Sequence, residues 1–170
     1  LVDAVHARFG ALDLLVNSAA VMERTPIGTV TAAQWDAMFA VNLRAPFLAA
    51  QAAAAVMPAG SAIVNVADLA AFETWPAYVP HGITKAGIVQ MTRALARALA
   101  PRIRVNAVAP GAVLLPDNWG AEAAARLVST TPLGRLGTAD DVAGAVVYLA
   151  SADYVTGETI IVDGGRHVRT

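Results

Sequence analysis

His81 and Lys85, within "AYVPHGITKAG" (Ala77 to Gly87), are the residues best placed to do chemistry. They stand four apart, and side chains at i and i+4 share one helical face. A proton-shuttling imidazole and an ammonium group would then point into one pocket. Other reactive or polar side chains sit where apolar runs stop. Asn17 to Ala20 close "LDLLVNSAA", Asp68 closes "SAIVNVAD", and Pro110, Gly111 and Val113 follow "RIRVNAVA". Asn42 interrupts a long apolar segment, where asparagine is a poor helix former and tends to bond nearby backbone. Taken singly, each also fits an ordinary role: a strand exit, a packed asparagine, a cap or a turn.

The surrounding pattern says what must hold these residues in place. Residues Leu1 to Phe9 read as a helix stopped by Gly10. A long helix is predicted over "TAAQWDAMFAVNLRAPFLAAQAAAAVM", with Thr31 as N-cap, Gln34 as its partner, and a kink or loosening at Pro46. Further helices are predicted from about Pro80 to Leu99, over "AEAAARLV", and over "TADDVAGAVVYLAS" with Thr138 as its cap. Strands are predicted at "LDLLVNSAA", "SAIVNVAD", "RIRVNAVAPG" and "ETIIVDGG". Alternating helices and continuous apolar strands imply an α/β fold, a parallel sheet covered on both faces. Ligands of such sheets bind beyond the carboxyl ends of the strands, where the polar residues above fall.

Composition narrows the function. With 56% hydrophobic and 15% charged residues, the 170-residue chain can bury a large core and is expected to be one domain, residues 1–170. A formal net charge of -1 gives no reason to expect nucleic acid or an anionic membrane as partner. The lack of cysteine removes disulfide and thiolate chemistry, and His6, His81 and His167 lack metal-ligand spacing. No apolar run is expected to span a bilayer: "RAPFLAAQAAAAVM" is short and carries Arg44 and Gln51. A cytoplasmic location is expected. Leu1 opens in what reads as mid-helix, so a chain with its start missing is also expected.

The ordered set of motifs resembles the short-chain dehydrogenase/reductase family, over essentially the whole chain. The family's N-N-A-G appears as Asn17-Ser18-Ala19-Ala20, its helix asparagine as Asn42, and its I-V-N-I-S-S strand as "IVNVAD". Its Y-x-x-x-K falls on His81 to Lys85, its R-V-N-x-V-x-P-G on "RVNAVAPG", and its closing G-x-x-x-x-V-D-G-G on Gly157 to Gly165. The resemblance implies a Rossmann-type three-layer α/β/α domain, with the glycine-rich pyrophosphate turn lying ahead of Leu1. It implies NAD or NADP as cofactor, held by Asn17, Ala19, Ala20, His81, Lys85, Pro110, Gly111 and Val113. It also implies hydride transfer to or from a small-molecule substrate, and a homotetramer or homodimer.

The chain departs from the family where proton transfer occurs. The family's serine lies thirteen residues before its tyrosine; here those positions hold Asp68 and His81. Asn42 and Lys85 remain, so the expected catalytic set is Asn42, Asp68, His81 and Lys85. Ala20 replaces a family glycine, and Leu115 stands where a threonine is frequent. An Asp68–His81 pair would make a general acid, and some pterin-reducing relatives carry aspartate at the serine position. The expected substrate is therefore a small polar alcohol, carbonyl or pterin-like imine, with Tyr78 and Trp119 as contacts. Tyr78 would either reach the site or pack at its mouth with Trp75. A nucleotide-binding or scaffold protein without turnover, or an inactive fragment, are the competing expectations.

Overall fold

The computed structural model describes residues 1–115 and 120–168. Helix α1 spans Val2–Phe9 and leads to strand β1, Leu14–Asn17. Helix α2, Ala32–Phe39, runs through a π-helical turn, Ala40–Arg44, into α3, Ala45–Val56. Strand β2 is Ser61–Val66, followed by a short 3-10 turn, Leu69–Ala71. Helix α4 is Val79–Leu99, β3 is Ile103–Pro110, α5 is Ala121–Ser129, α6 is Ala139–Ser151 and β4 is Thr159–Val162.

The four strands are all parallel and lie in the order β1-β2-β3-β4. The register sets Asn17 beside Asn65 and Val66 beside Val108, so β1, β2 and β3 end along one edge of the sheet. Alternation along each strand divides the core. Ile63 and Val105 pack with Ala50, Ala53 and Met57 of the α3 side, while Val64 and Val108 pack with Leu149 of α6. Each fully buried aliphatic side chain is worth roughly 1.5–3 kcal/mol, enough to pin strand register against a one-residue slip. Two arginines stitch the layers together. Arg102 donates to the carbonyls of Met57 and Ala54 at the end of α3, and Arg104 to those of Leu149 and Ala150 at the end of α6. Orphan carbonyls at both helix ends thereby gain donors.

The elements fall close to their predicted places, with three physical differences. The loosening expected at Pro46 occurs one turn earlier, where Ala45 N–H bonds Ala40 O across a π turn. Proline lacks the N–H that an α-helix would use there, so the ladder reorganises ahead of it. Helix α4 starts at Val79, with Tyr78 as its N-cap residue. The third difference is that the long helix is not interrupted at the loosened turn. The π turn keeps residues Ala32–Val56 one continuous helix of 25 residues in which an 18-residue stretch has a mean hydropathy of 1.3, long and apolar enough to cross a membrane by length and composition alone. Ala50, Ala53 and Ala54 of this helix lie buried, the first two wholly so, which gives part of its apolar character a role in packing on the sheet.

Candidate functional site at the carboxyl edge of the sheet

The π turn lodges Asn42 between the loop after β1 and helix α4, where it is 1% exposed. Asn42 Oδ1 accepts from Val21 N at 2.8 Å, and Nδ2 donates to Val21 O at 2.8 Å and Thr84 Oγ1 at 3.2 Å. Thr84 Oγ1 in turn donates to His81 O at 2.7 Å. One asparagine thus ties three segments of the chain together.

His81 is 2% exposed. Its Nδ1 lies 3.3 Å from Val21 O, and since a carbonyl oxygen only accepts, that nitrogen carries a hydrogen. Nε2 is buried without a hydrogen-bond partner among the described residues and faces Asp68 Oδ2 at 3.6 Å. That distance is ion-pair range and just longer than a hydrogen bond. Asp68 caps the 3-10 turn, its Oδ1 accepting from Ala70 N at 2.7 Å, and its side chain remains 25% exposed. One helical turn past His81, the buried Lys85 donates from Nζ to Val66 O at 3.0 Å. Burial pushes the Lys85 ammonium below its ordinary value, against the opposing attraction of Asp68. The predicted shared face of His81 and Lys85 is therefore present, and both turn toward the end of β2.

Two clefts flank this cluster. One, of about 520 Å³, is bordered by Ser18, Val66, Pro110, Gly111 and Val113, at or just past the ends of β1, β2 and β3. The other, of about 380 Å³, is bordered by Asp68, Leu69, Trp75, Tyr78 and Leu115 and shares Gly111 with the first. Trp75 and Tyr78 meet edge to face with ring centroids 6.3 Å apart, and both line the second cleft. A Cβ on Gly111 would lie 2.7 Å from Asp163 Cβ, which is why glycine occupies the point where the clefts meet the "VDGG" turn. Asp163 holds that turn by accepting from Gly165 N, His167 N and His167 Nδ1. Burial works to raise the Asp163 carboxyl, but those donors outweigh it and keep it below its usual value.

Asn17 ends β1. Its Nδ2 donates to Asn65 Oδ1 at 2.9 Å, and Asn65 donates to Thr92 on α4, so the amide serves the helix-covered face of the sheet. Ala19 and Ala20 are exposed on the loop that Asn42 anchors. Trp119 lies outside the described residues. Sequence reasoning missed Val21 and Thr84. Thr84 had a legible signal, three residues after His81 on the same helix; Val21 had none, because its backbone rather than its side chain makes the contacts. Among the described residues, no cluster of histidine and carboxylates could hold a metal ion.

Comparison with known proteins agrees with this geometry. A profile for the family described as enoyl-(acyl carrier protein) reductase matches residues 1–167. The chain is similar to an uncharacterized oxidoreductase of Methylorubrum extorquens, 40% identical over 97% of this chain and 70% of that protein. It superposes with a TM-score of 0.93 on a short-chain dehydrogenase/reductase, glucose/ribitol dehydrogenase, from Brucella melitensis, at 36% identity over 97% of this chain and 69% of that one. A gluconate 5-dehydrogenase from Burkholderia cenocepacia, solved with NADP and tartrate, gives a TM-score of 0.90 at 32% identity, covering 99% of this chain and 70% of that one.

Proposed function

The chain belongs to the short-chain dehydrogenase/reductase family, and on that premise we propose that it is an NAD- or NADP-dependent oxidoreductase acting on a small polar alcohol, carbonyl or pterin-like imine. The observation that carries the proposal is the convergence of Asn42, Asp68, His81 and Lys85 at the carboxyl edge of a parallel sheet, with Asp68 lining a cleft there.

The residues present fit the nicotinamide half of such a cofactor. Small residues Ser18, Ala19 and Ala20 leave the backbone approachable, Gly111 admits no side chain, and Pro110 and Val113 offer an apolar wall. Lys85 would hold ribose hydroxyls from beneath, at the end of β2. No G-x-G pattern occurs in the 170 residues, so nothing here cradles the pyrophosphate in the usual way. A bound nicotinamide supplies the hydride donor or acceptor. The chain's own part is to orient the reacting carbon, exclude water and move one proton. Asn42 supports that work by fixing the loop that His81 leans on. The family's oligomer would form on the outward groove beside α4, bordered by Phe39, Leu43, Phe47 and Met91.

A second reading, nucleotide binding without turnover, draws on the burial of His81, which keeps its ring nitrogens from solvent. The test is consumption of NADH and NADPH by the protein as encoded, against a panel of polyols, ketones and dihydropterins. Turnover with any of them supports the enzyme. Saturable dinucleotide binding with no turnover in either direction would replace it with the second reading.

A further inference from the structure

Resting on the hydride-transfer reading, we propose that Asp68, and not His81, exchanges the proton with substrate, and that His81 is a positioning residue acting through it. Burial separates the two. His81 has 2% of its surface exposed and Nε2 is sealed, whereas the Asp68 side chain is 25% exposed and borders the 380 Å³ cleft. Asp68 Oδ2 lies 3.6 Å from Nε2, and Asp68 lines the cleft whereas His81 is not among its lining residues.

The hydrogen bonds set the order. Val21 O fixes a hydrogen on Nδ1 and so turns Nε2 toward the carboxylate. Asp68 is held from its other side, with Oδ1 accepting from Ala70 N. One proton shared between Oδ2 and Nε2 satisfies both atoms, and a short approach of the pair makes the bond direct. In the reductive direction a bound reduced nicotinamide would supply the hydride to the substrate carbon. The O–H bond of the Asp68 carboxyl then breaks, its electron pair stays on Oδ2, and the substrate oxygen or nitrogen gains the proton. Water in the cleft returns a proton to the carboxylate, and His81 shares it. Among the described residues, Tyr78 and Arg166 line the same cleft as Asp68, and Lys85, one turn past His81, feels the Asp68 charge.

The experiment compares Asp68→Asn, Asp68→Glu and His81→Gln with the parent protein as encoded. Asp68→Asn is expected to lower kcat by about 100-fold or more, within the usual span for losing a general acid, while cofactor affinity stays within about threefold. Asp68→Glu should restore part of kcat. His81→Gln should keep measurable turnover and alter mainly the pH dependence of kcat. Two readouts do not need turnover. Diethyl pyrocarbonate should modify His6 and His167 and spare His81, and the Nε2 resonance of His81 should shift in Asp68→Asn while Nδ1 stays protonated. Equal losses in Asp68→Asn and His81→Gln, or modification of His81 as fast as His6, would overturn the assignment. If the parent binds dinucleotide but reduces nothing, the hydride reading fails, and the modification and resonance data still decide which of the two residues meets the cleft.

Discussion

Replacing Asn42 by alanine tests whether one side chain holds the site together. The change removes the acceptor for Val21 N–H at 2.8 Å and the nearer of two donors to Val21 O, leaving His81 Nδ1 at 3.3 Å, and it removes the 3.2 Å bond to Thr84. A buried polar group left without a partner costs about 1–3 kcal/mol, and here the Val21 N–H is stripped while its C=O loses the shorter of two bonds. Alanine recovers roughly 0.6 kcal/mol because it is a better helix former than asparagine. Val21 is only half-buried, so water replaces part of the loss, and the net destabilisation should be about 1–3 kcal/mol. Urea unfolding reads this as a lower midpoint at constant slope. Hydrogen exchange at the Val21 amide reads it locally, as lost protection. Asn42→Asp provides a separate check, since it keeps an acceptor for Val21 N–H but sets a second oxygen against Val21 O. A midpoint shift worth less than ~0.5 kcal/mol for Asn42→Ala, with Val21 protection intact, would refute the reasoning.

Gly111→Ala forces a Cβ to within 2.7 Å of Asp163 Cβ and 2.9 Å of Asp163 Cα, and should cost about 1–3 kcal/mol. Gly144→Ala, inside exposed α6 with open space around it, should instead stabilise by up to about 1 kcal/mol; thermal melts of the two variants must move in opposite directions. Lys85 has its folded-state pKa lowered by burial, so the unfolded chain binds that proton more tightly, and stability should rise with pH between the lowered value and 10.5. Lys85→Met should abolish that rise in denaturant titrations run from pH 7 to 11. Asp141 is held below its ordinary value by its bond to Arg135, then by the backbone and hydroxyl of Thr138. Its contribution is present above about pH 3.8 and fades as pH falls below it, so Asp141→Asn should flatten the acid limb of the stability curve; an unchanged limb would count against the pairing.

Much of the architecture was written in local pattern. Thr31 with Gln34 and Thr138 with Asp141 form capping boxes at the predicted helix starts, because these caps depend on residues three apart and nothing else. The parallel sheet followed from apolar runs too uniform for a sheet with one wet face. The spacing of His81 and Lys85 was enough to set both on one face of α4, since helical geometry is periodic and local. The sequence also carried the replacement of two hydroxyls by Asp68 and His81.

Tertiary structure decided what those residues meet. Asn17 stands beside three small residues that read as a ligand edge, yet its amide turns to Asn65, because strand alternation and register aim it at the helix-covered face. Asn42 bonds a backbone 21 residues away, and His81 one 60 away; no local pattern encodes such contacts. Exposure was equally hidden. Sequence ranks a histidine and an aspartate as equal candidates for proton transfer, whereas packing seals the first and leaves the second at a cleft. Residue type and periodicity are local properties of the chain, while burial and partnership come from how its layers close over one another.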